Sequence, residues 1–160
     1  MLFSRLASLI LRVGQFIFAA IVLGLTAYFL YERTRYGVGP FARIVYSVIW
    51  ASLSIIFAII WAIPTSSSMT GYASDLIFTA GWAAVFALLV RWFNGAGCGS
   101  AWNWSGFSLS RDNYCGQWRA AQAFSFLSMV FWFATFILGV LTVHRLNRRA
   151  TAIGGRHSHV

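Results

Sequence analysis

The sequence predicts an all-α integral membrane protein, built as a bundle of four transmembrane helices with both termini in the cytosol. Hydrophobic residues make up 59% of the 160 residues and charged residues only 9%, whereas a soluble domain carries about 25% charged residues. The apolar residues form four long runs with arginines between them. Membrane proteins place charge there because a charge in the hydrocarbon core is costly.

The four predicted spans form one domain over residues 1–145. They cover about residues 13–31, 42–63, 76–93 and 119–144, and a short, flexible basic tail, 146–160, follows. Residues 2–13 show helical periodicity with arginines on the polar face, so they form either an interfacial helix or the frayed start of the first span. The arginines expected to contact lipid head groups are Arg5, Arg12, Arg145, Arg148 and Arg149.

Small residues recur along the predicted spans at helical spacing. In lipid, apolar side chains gain nothing by meeting one another, so small residues that let helices approach closely must hold a bundle together. This pattern indicates helix packing, either inside the monomer or between copies. The residues concerned are Ala20 and Gly24 in span one, Ser47, Ala51, Ser54 and Ala58 in span two, and Ser128, Thr135 and Gly139 in span four.

The two cysteines, Cys98 and Cys115, lie between spans three and four. If they form a disulfide, the loop 94–118 faces the exterior or a lumen, because disulfides persist in oxidising compartments. Two unpaired thiols are the alternative. Arginines divide six and six between the two sides of the membrane, so their number does not orient the chain, but the cluster in the tail favours a cytosolic tail. Asn103 begins a formal glycosylation motif, whose use the sequence leaves open.

No constellation of catalytic residues is apparent. The three acids, Glu32, Asp75 and Asp112, lie at span borders or in loops, and we expect Ser74 or Asp75 to cap the third span rather than to act as a functional acid. His157 and His159 alone make a poor metal site. We therefore expect no enzymatic activity, no cofactor and no metal site. We also expect no nucleic-acid partner, because no soluble domain is predicted to present the basic charge.

Several local features combine into a recognisable pattern. Arg43–Trp50 opens span two, Gly97–Gly99 and Cys115–Gly116 bracket the third connection, and residues 117–124 lead into an aromatic fourth span. With four spans and two short connections, the chain resembles the MARVEL family, and specifically its small fungal members associated with eisosomes, non-classical export and vesicles. The resemblance implies a tetraspan that organises membrane domains, associates with sterol-rich lipid and has no enzymatic site.

The leading hypothesis is a non-enzymatic tetraspan organiser that self-associates and partitions into sterol- or sphingolipid-rich membrane domains or vesicles. Its partners would be membrane lipids and further copies of the chain. The fifteen phenylalanines and eight tryptophans give it a bulky outer surface that could sort lipids by thickness and order. The alternative is an accessory subunit of a larger membrane protein complex, and an oligomeric channel is the third hypothesis.

Overall fold

The computed structural model describes residues 2–37, 39–62, 68–95 and 114–154. They form four helices: α1 (Leu2–Tyr36), α2 (Phe41–Ala62), α3 (Ser68–Gly95) and α4 (Tyr114–Gly154). Each contains a segment long and apolar enough to cross a membrane, at Ser8–Tyr36, Phe41–Trp61, Ala73–Trp92 and Tyr114–Arg145. The predicted all-α fold with four spans is therefore confirmed.

The helices form a closed ring in which each packs on its neighbours in the chain and α4 returns to α1. In the described parts of the chain, the diagonal pairs α1–α3 and α2–α4 do not approach along their backbones. Large side chains fill the centre between them, led by Trp82, Trp118 and Trp132, all of which are buried. The bundle is thus held by side chains that cross its interior.

The turn between α1 and α2 depends on two glycines with positive φ, Gly37 at 71° and Gly39 at 106°. The amide N of Gly37 donates to the carbonyl O of Arg33 over 2.9 Å, which satisfies one of the free carbonyls at the end of α1. Pro40 then precedes α2, where its fixed φ suits the start of a helix. This short turn makes α1 and α2 antiparallel neighbours.

The small residues predicted as a packing seam in α2 lie in the interior of the bundle. Ser47, Ala51, Ser54 and Ala58 are all buried, and the indole Nε1 of Trp82 in α3 donates to Ser54 Oγ over 3.0 Å. A serine at this position leaves room for the tryptophan ring and supplies an acceptor for its N–H. In α4, Ser128 and Thr135 are buried too, and Gly139 is partly buried.

The small pair in α1 lies on a different surface. Gly24 is exposed, and a side chain built on it would meet nothing within 4 Å. Ala20 is partly buried. None of the other three helices, as far as the structure describes them, therefore packs closely against Gly24.

Three predicted boundaries differ from the structure. Residues 2–13 continue directly into the first span as part of α1, so they are not a separate interfacial helix. Helix α4 begins at Tyr114 rather than near 119, because Trp118 is drawn into the bundle, where its ring stacks on Phe29 at 4.6 Å between centroids. It also continues to Gly154, so the first part of the predicted flexible tail is helical.

Cys98, Asn103 and Asp112 lie outside the described residues. The disulfide between Cys98 and Cys115 and the sidedness of the loop 94–118 therefore stay predictions. Cys115 itself lies in the first turn of α4.

We expect Gly81→Ala to destabilise the bundle. Gly81 is buried in α3, and a Cβ there would overlap the indole ring of Trp50 in α2. Overpacking of this kind costs about 1–3 kcal/mol. Thermal unfolding in detergent should show a lower midpoint for this variant, whereas Gly24→Ala, at an open position, should melt like the parent. Equal melting of the Gly81 variant and the parent would contradict the close α2–α3 approach.

Candidate functional site

A buried ion pair joins α1 to α3 across the diagonal of the bundle. Arg12 Nη1 donates to Asp75 Oδ1 and Arg12 Nη2 donates to Asp75 Oδ2, each over 3.1 Å. The Arg12 side chain is 12% exposed and that of Asp75 only 4%. This bidentate arrangement, with two parallel hydrogen bonds, is a strong geometry for an arginine and a carboxylate.

Polar side chains extend the pair to α4. Arg12 Nη1 also donates to Gln15 Oε1 over 3.0 Å. The amide Nε2 of Gln15 donates in turn to Thr135 Oγ1 over 3.0 Å and to the carbonyl O of Phe131 over 3.3 Å. Gln15 is completely buried, so this chain of hydrogen bonds lies inside the bundle, where a missing partner would be costly.

Two tryptophans complete the surroundings of Arg12. The guanidinium carbon lies 5.3 Å from the ring centroid of Trp61 in α2 and 5.5 Å from that of Trp132 in α4. Both distances are within the range of a cation–π interaction. The Trp132 ring also stacks on Phe78 of α3, at 4.4 Å between centroids. All four helices therefore contribute to this cluster, which we call the four-helix cluster: Arg12, Gln15, Trp61, Asp75, Trp132 and Thr135.

The spacing of these residues follows from the helices that carry them. Arg12 and Gln15 are three residues apart on α1, and Trp132 and Thr135 are three residues apart on α4, so each pair shares one helix face. Asp75 lies close to the start of the third span and Trp61 at the end of the second. The cluster therefore lies towards the end of the bundle that carries the first turns of α1.

The structure corrects two interpretations. Neither Ser74 nor Asp75 caps the third helix, because α3 begins at Ser68 and both residues lie about two turns inside it. Arg12 points into the bundle and pairs with Asp75 instead of pointing to the membrane surface. The reason is electrostatic, since an arginine and a carboxylate that would each be costly in an apolar medium are far less costly together.

The other predicted site residues are distributed more widely. Thr135 joins Arg12 in the four-helix cluster, while the α2 seam and Ser128 contribute to packing elsewhere in the interior. Arg145 and Arg148 are exposed. Sequence analysis missed the ion pair, although Arg12 interrupts an apolar run and an ionisable residue inside a span calls for a partner.

The four-helix cluster holds the helices together through the contacts of its charged groups. Both carboxylate oxygens of Asp75 accept from Arg12, and the Arg12 guanidinium also bonds to Gln15 and lies over two rings. The charged atoms are thus directed at one another. Breaking such a pair by removing one partner is strongly destabilising, because an uncompensated charge stays buried.

The comparisons with known proteins agree with the membrane fold. The family model named MARVEL, described as a membrane-associating domain, matches residues 3–138. That range includes every member of the four-helix cluster. Comparison with curated proteins and with solved structures found no match.

We expect Asp75→Asn and Arg12→Gln each to lower the free energy of unfolding by about 3–5 kcal/mol, because each leaves its partner charge buried without a counter-charge. The double variant Arg12→Gln/Asp75→Asn should lose less than the sum of the two single losses, since it removes both charges and leaves neither unpaired. Unfolding midpoints in detergent, combined as a double-mutant cycle, measure the coupling. Additive losses in the cycle would show that the two side chains do not stabilise each other.

Proposed function

We propose that this chain, which belongs to the MARVEL family of membrane-associating domains, is a non-enzymatic tetraspan organiser. It self-associates and partitions into sterol- or sphingolipid-rich membrane domains or vesicles. The observation that carries this proposal is the contrast between the interior and the outer surface of the bundle. The buried pair Arg12–Asp75 carries no net charge, while large apolar side chains remain exposed on all four helices.

The outer surface supports a role that works through lipid contact. Exposed large apolar side chains include Leu9 and Val13 of α1, Ile56 of α2, Ile77 of α3 and Leu141 of α4. A surface of this kind would drive aggregation in water, but in a bilayer it contacts acyl chains. Lipid order and thickness then affect the free energy of the protein directly, because a mismatch between span and bilayer has a cost.

Self-association is supported by the outward face of α1. Ala20, Gly24 and Ala27 follow one another at steps of four and three, and Gly24 and Ala27 are exposed. The open space over Gly24 would let the backbone of another helix approach closely, and such close packing drives helix association in membranes. We propose that a second copy of this chain packs on this face.

The orientation belongs to the same proposal. Both termini would face the cytosol, with the loop 94–118 on the extracellular or lumenal side and a disulfide between Cys98 and Cys115. Support comes from the even number of spans and from the preference of disulfides for oxidising compartments.

The organiser function can be tested with labelled protein in giant vesicles that separate into ordered and disordered phases. We expect each fluorescent spot to bleach in several steps, one for each labelled copy, and the protein to be enriched in the sterol-rich phase. In Gly24→Leu each spot should bleach in a single step, because the leucine side chain fills the space over α1. Ala80→Leu is the matched control, a small-to-large change at an exposed position of α3, and should leave both readouts unchanged.

Single bleaching steps for the parent protein would contradict self-association. If the protein purified from its native membrane also carries a stoichiometric foreign subunit, the accessory-subunit role replaces the organiser role.

We expect a membrane-impermeant maleimide, applied from outside intact cells, to label the cysteines only after reduction. Reduction opens the proposed disulfide, and the loop carrying Cys98 is expected to be accessible from that side. The variant Cys98→Ser/Cys115→Ser measures background labelling. Labelling without reduction would contradict the disulfide. Labelling that is absent in intact cells but appears once the plasma membrane alone is permeabilised, with internal membranes left intact, would contradict the orientation.

A further inference from the structure

We propose that the C-terminal part of α4 is a docking surface for anionic phospholipid head groups. The segment concerned is the α4 arm, defined as residues 145–154, with Arg145, Arg148 and Arg149 as its cations. The proposal rests on the proposed function in one respect, namely that the bundle spans a bilayer. It adds the class of lipid and the element that selects it.

The α4 arm is a continuous extension of a membrane span. The apolar segment of α4 ends at Arg145, but the helix continues to Gly154, a further length of about 13 Å at 1.5 Å per residue. The first turn of this extension therefore lies at the level where the hydrocarbon ends and the phosphates of the adjacent leaflet begin.

Two of the three cations of the arm, Arg145 and Arg148, follow the lipid-facing side of α4. Leu138 and Leu141 are exposed, at 41% and 48%, and Arg145 and Arg148, which are also exposed, continue the same stripe at steps of four and three. At 100° per residue these arginines lie roughly 140° around the helix from the inward face. That inward face is marked by Ser128, Trp132 and Thr135. The arginines thus lie beneath the lipids that contact Leu138 and Leu141.

No described carboxylate competes for these cations at this end of the bundle. Asp75 is the acid on this side, and Arg12 already holds both of its oxygens. Glu32 lies near the opposite end of α1, almost at Tyr36. The positive charge of the arm is therefore available to an external anion.

Phospholipid is the anion that this placement favours. Arginine side chains at a span end extend towards phosphates at the interface, and a guanidinium matches a phosphate with paired hydrogen bonds. Each arginine near the surface favours an anionic over a neutral membrane by roughly fivefold. Three arginines within five residues, on a helix leaving the bilayer, should hold anionic lipids beside α4 in preference to zwitterionic ones.

The test uses the full chain reconstituted in phosphatidylcholine vesicles with a trace of spin-labelled lipid, either phosphatidylserine or phosphatidylcholine. The fraction of each label immobilised at the protein gives the selectivity. We expect the parent to favour phosphatidylserine roughly fivefold, the factor for one arginine at one head group, and raising the salt concentration to weaken this preference. Arg145→Gln/Arg148→Gln/Arg149→Gln should bring the ratio close to one. The lysine triple variant at the same positions should keep most of the preference, because it keeps the charge.

A second triple variant locates the effect. Arg33→Gln/Arg35→Gln/Arg43→Gln removes the same charge from the opposite end of the bundle and should leave most of the selectivity. If the two triple glutamine variants lose equal amounts of phosphatidylserine selectivity, the assignment to the α4 arm is wrong. It is also wrong if the parent protein shows no preference for phosphatidylserine. Displacement of the lipid by millimolar inorganic phosphate at constant ionic strength would also overturn it, in favour of a site for free phosphate.

Failure of this inference is separable from failure of the organiser function. Lipid selectivity is read from spin labels, whereas self-association is read from bleaching steps and depends on Gly24 of α1. Loss of one readout with retention of the other identifies which proposal is wrong.

Discussion

The energetic cost of charge in an apolar medium shapes this bundle. Arg12 and Asp75 lie on helices that do not touch along their described backbones, so the two residues meet through their side chains, and the long side chain of Arg12 spans most of the gap. Their pairing fixes α1 and α3 relative to each other, and the contacts of Arg12 with Trp61 and Trp132 extend the constraint to α2 and α4. Arrangements of the helices that separate Arg12 from Asp75 would leave a buried charge unpaired, so the ion pair disfavours them.

The opposite end of the bundle is held by different means. There the Trp118 ring stacks on Phe29, and the amide Nε2 of Gln122 donates to the carbonyl O of Leu89 over 3.3 Å. Between the two ends, the small residues of α2 give Trp82 room to reach Ser54. Small residues on one helix and large rings on the next give the close packing that a membrane interior requires, since the hydrophobic effect supplies no attraction between helices in lipid.

Sequence reasoning predicted the features that repeat along a single helix and missed those that depend on two helices meeting. The number of spans follows from hydropathy, and the inward position of Ser47, Ala51, Ser54 and Ala58 follows from a regular spacing. By contrast, Arg12 and Asp75 are 63 positions apart in the sequence, and no local pattern indicates that they touch. The spacing of Ala20 and Gly24 likewise left packing inside the monomer and packing between copies open, and the described residues leave Gly24 uncovered. The start of α4 was misplaced because a polar stretch hides the burial of Trp118.

The separation of Arg12 and Asp75 along the chain also has a consequence for biogenesis. A ribosome that adds about 5–20 residues per second needs about 3–13 seconds to extend the chain from Arg12 to Asp75, 63 positions later. During that interval the guanidinium of the first helix has no carboxylate within the nascent chain to meet at its final depth. Until the third helix is inserted, Arg12 must therefore lie in the head-group layer or be shielded from lipid by the insertion machinery.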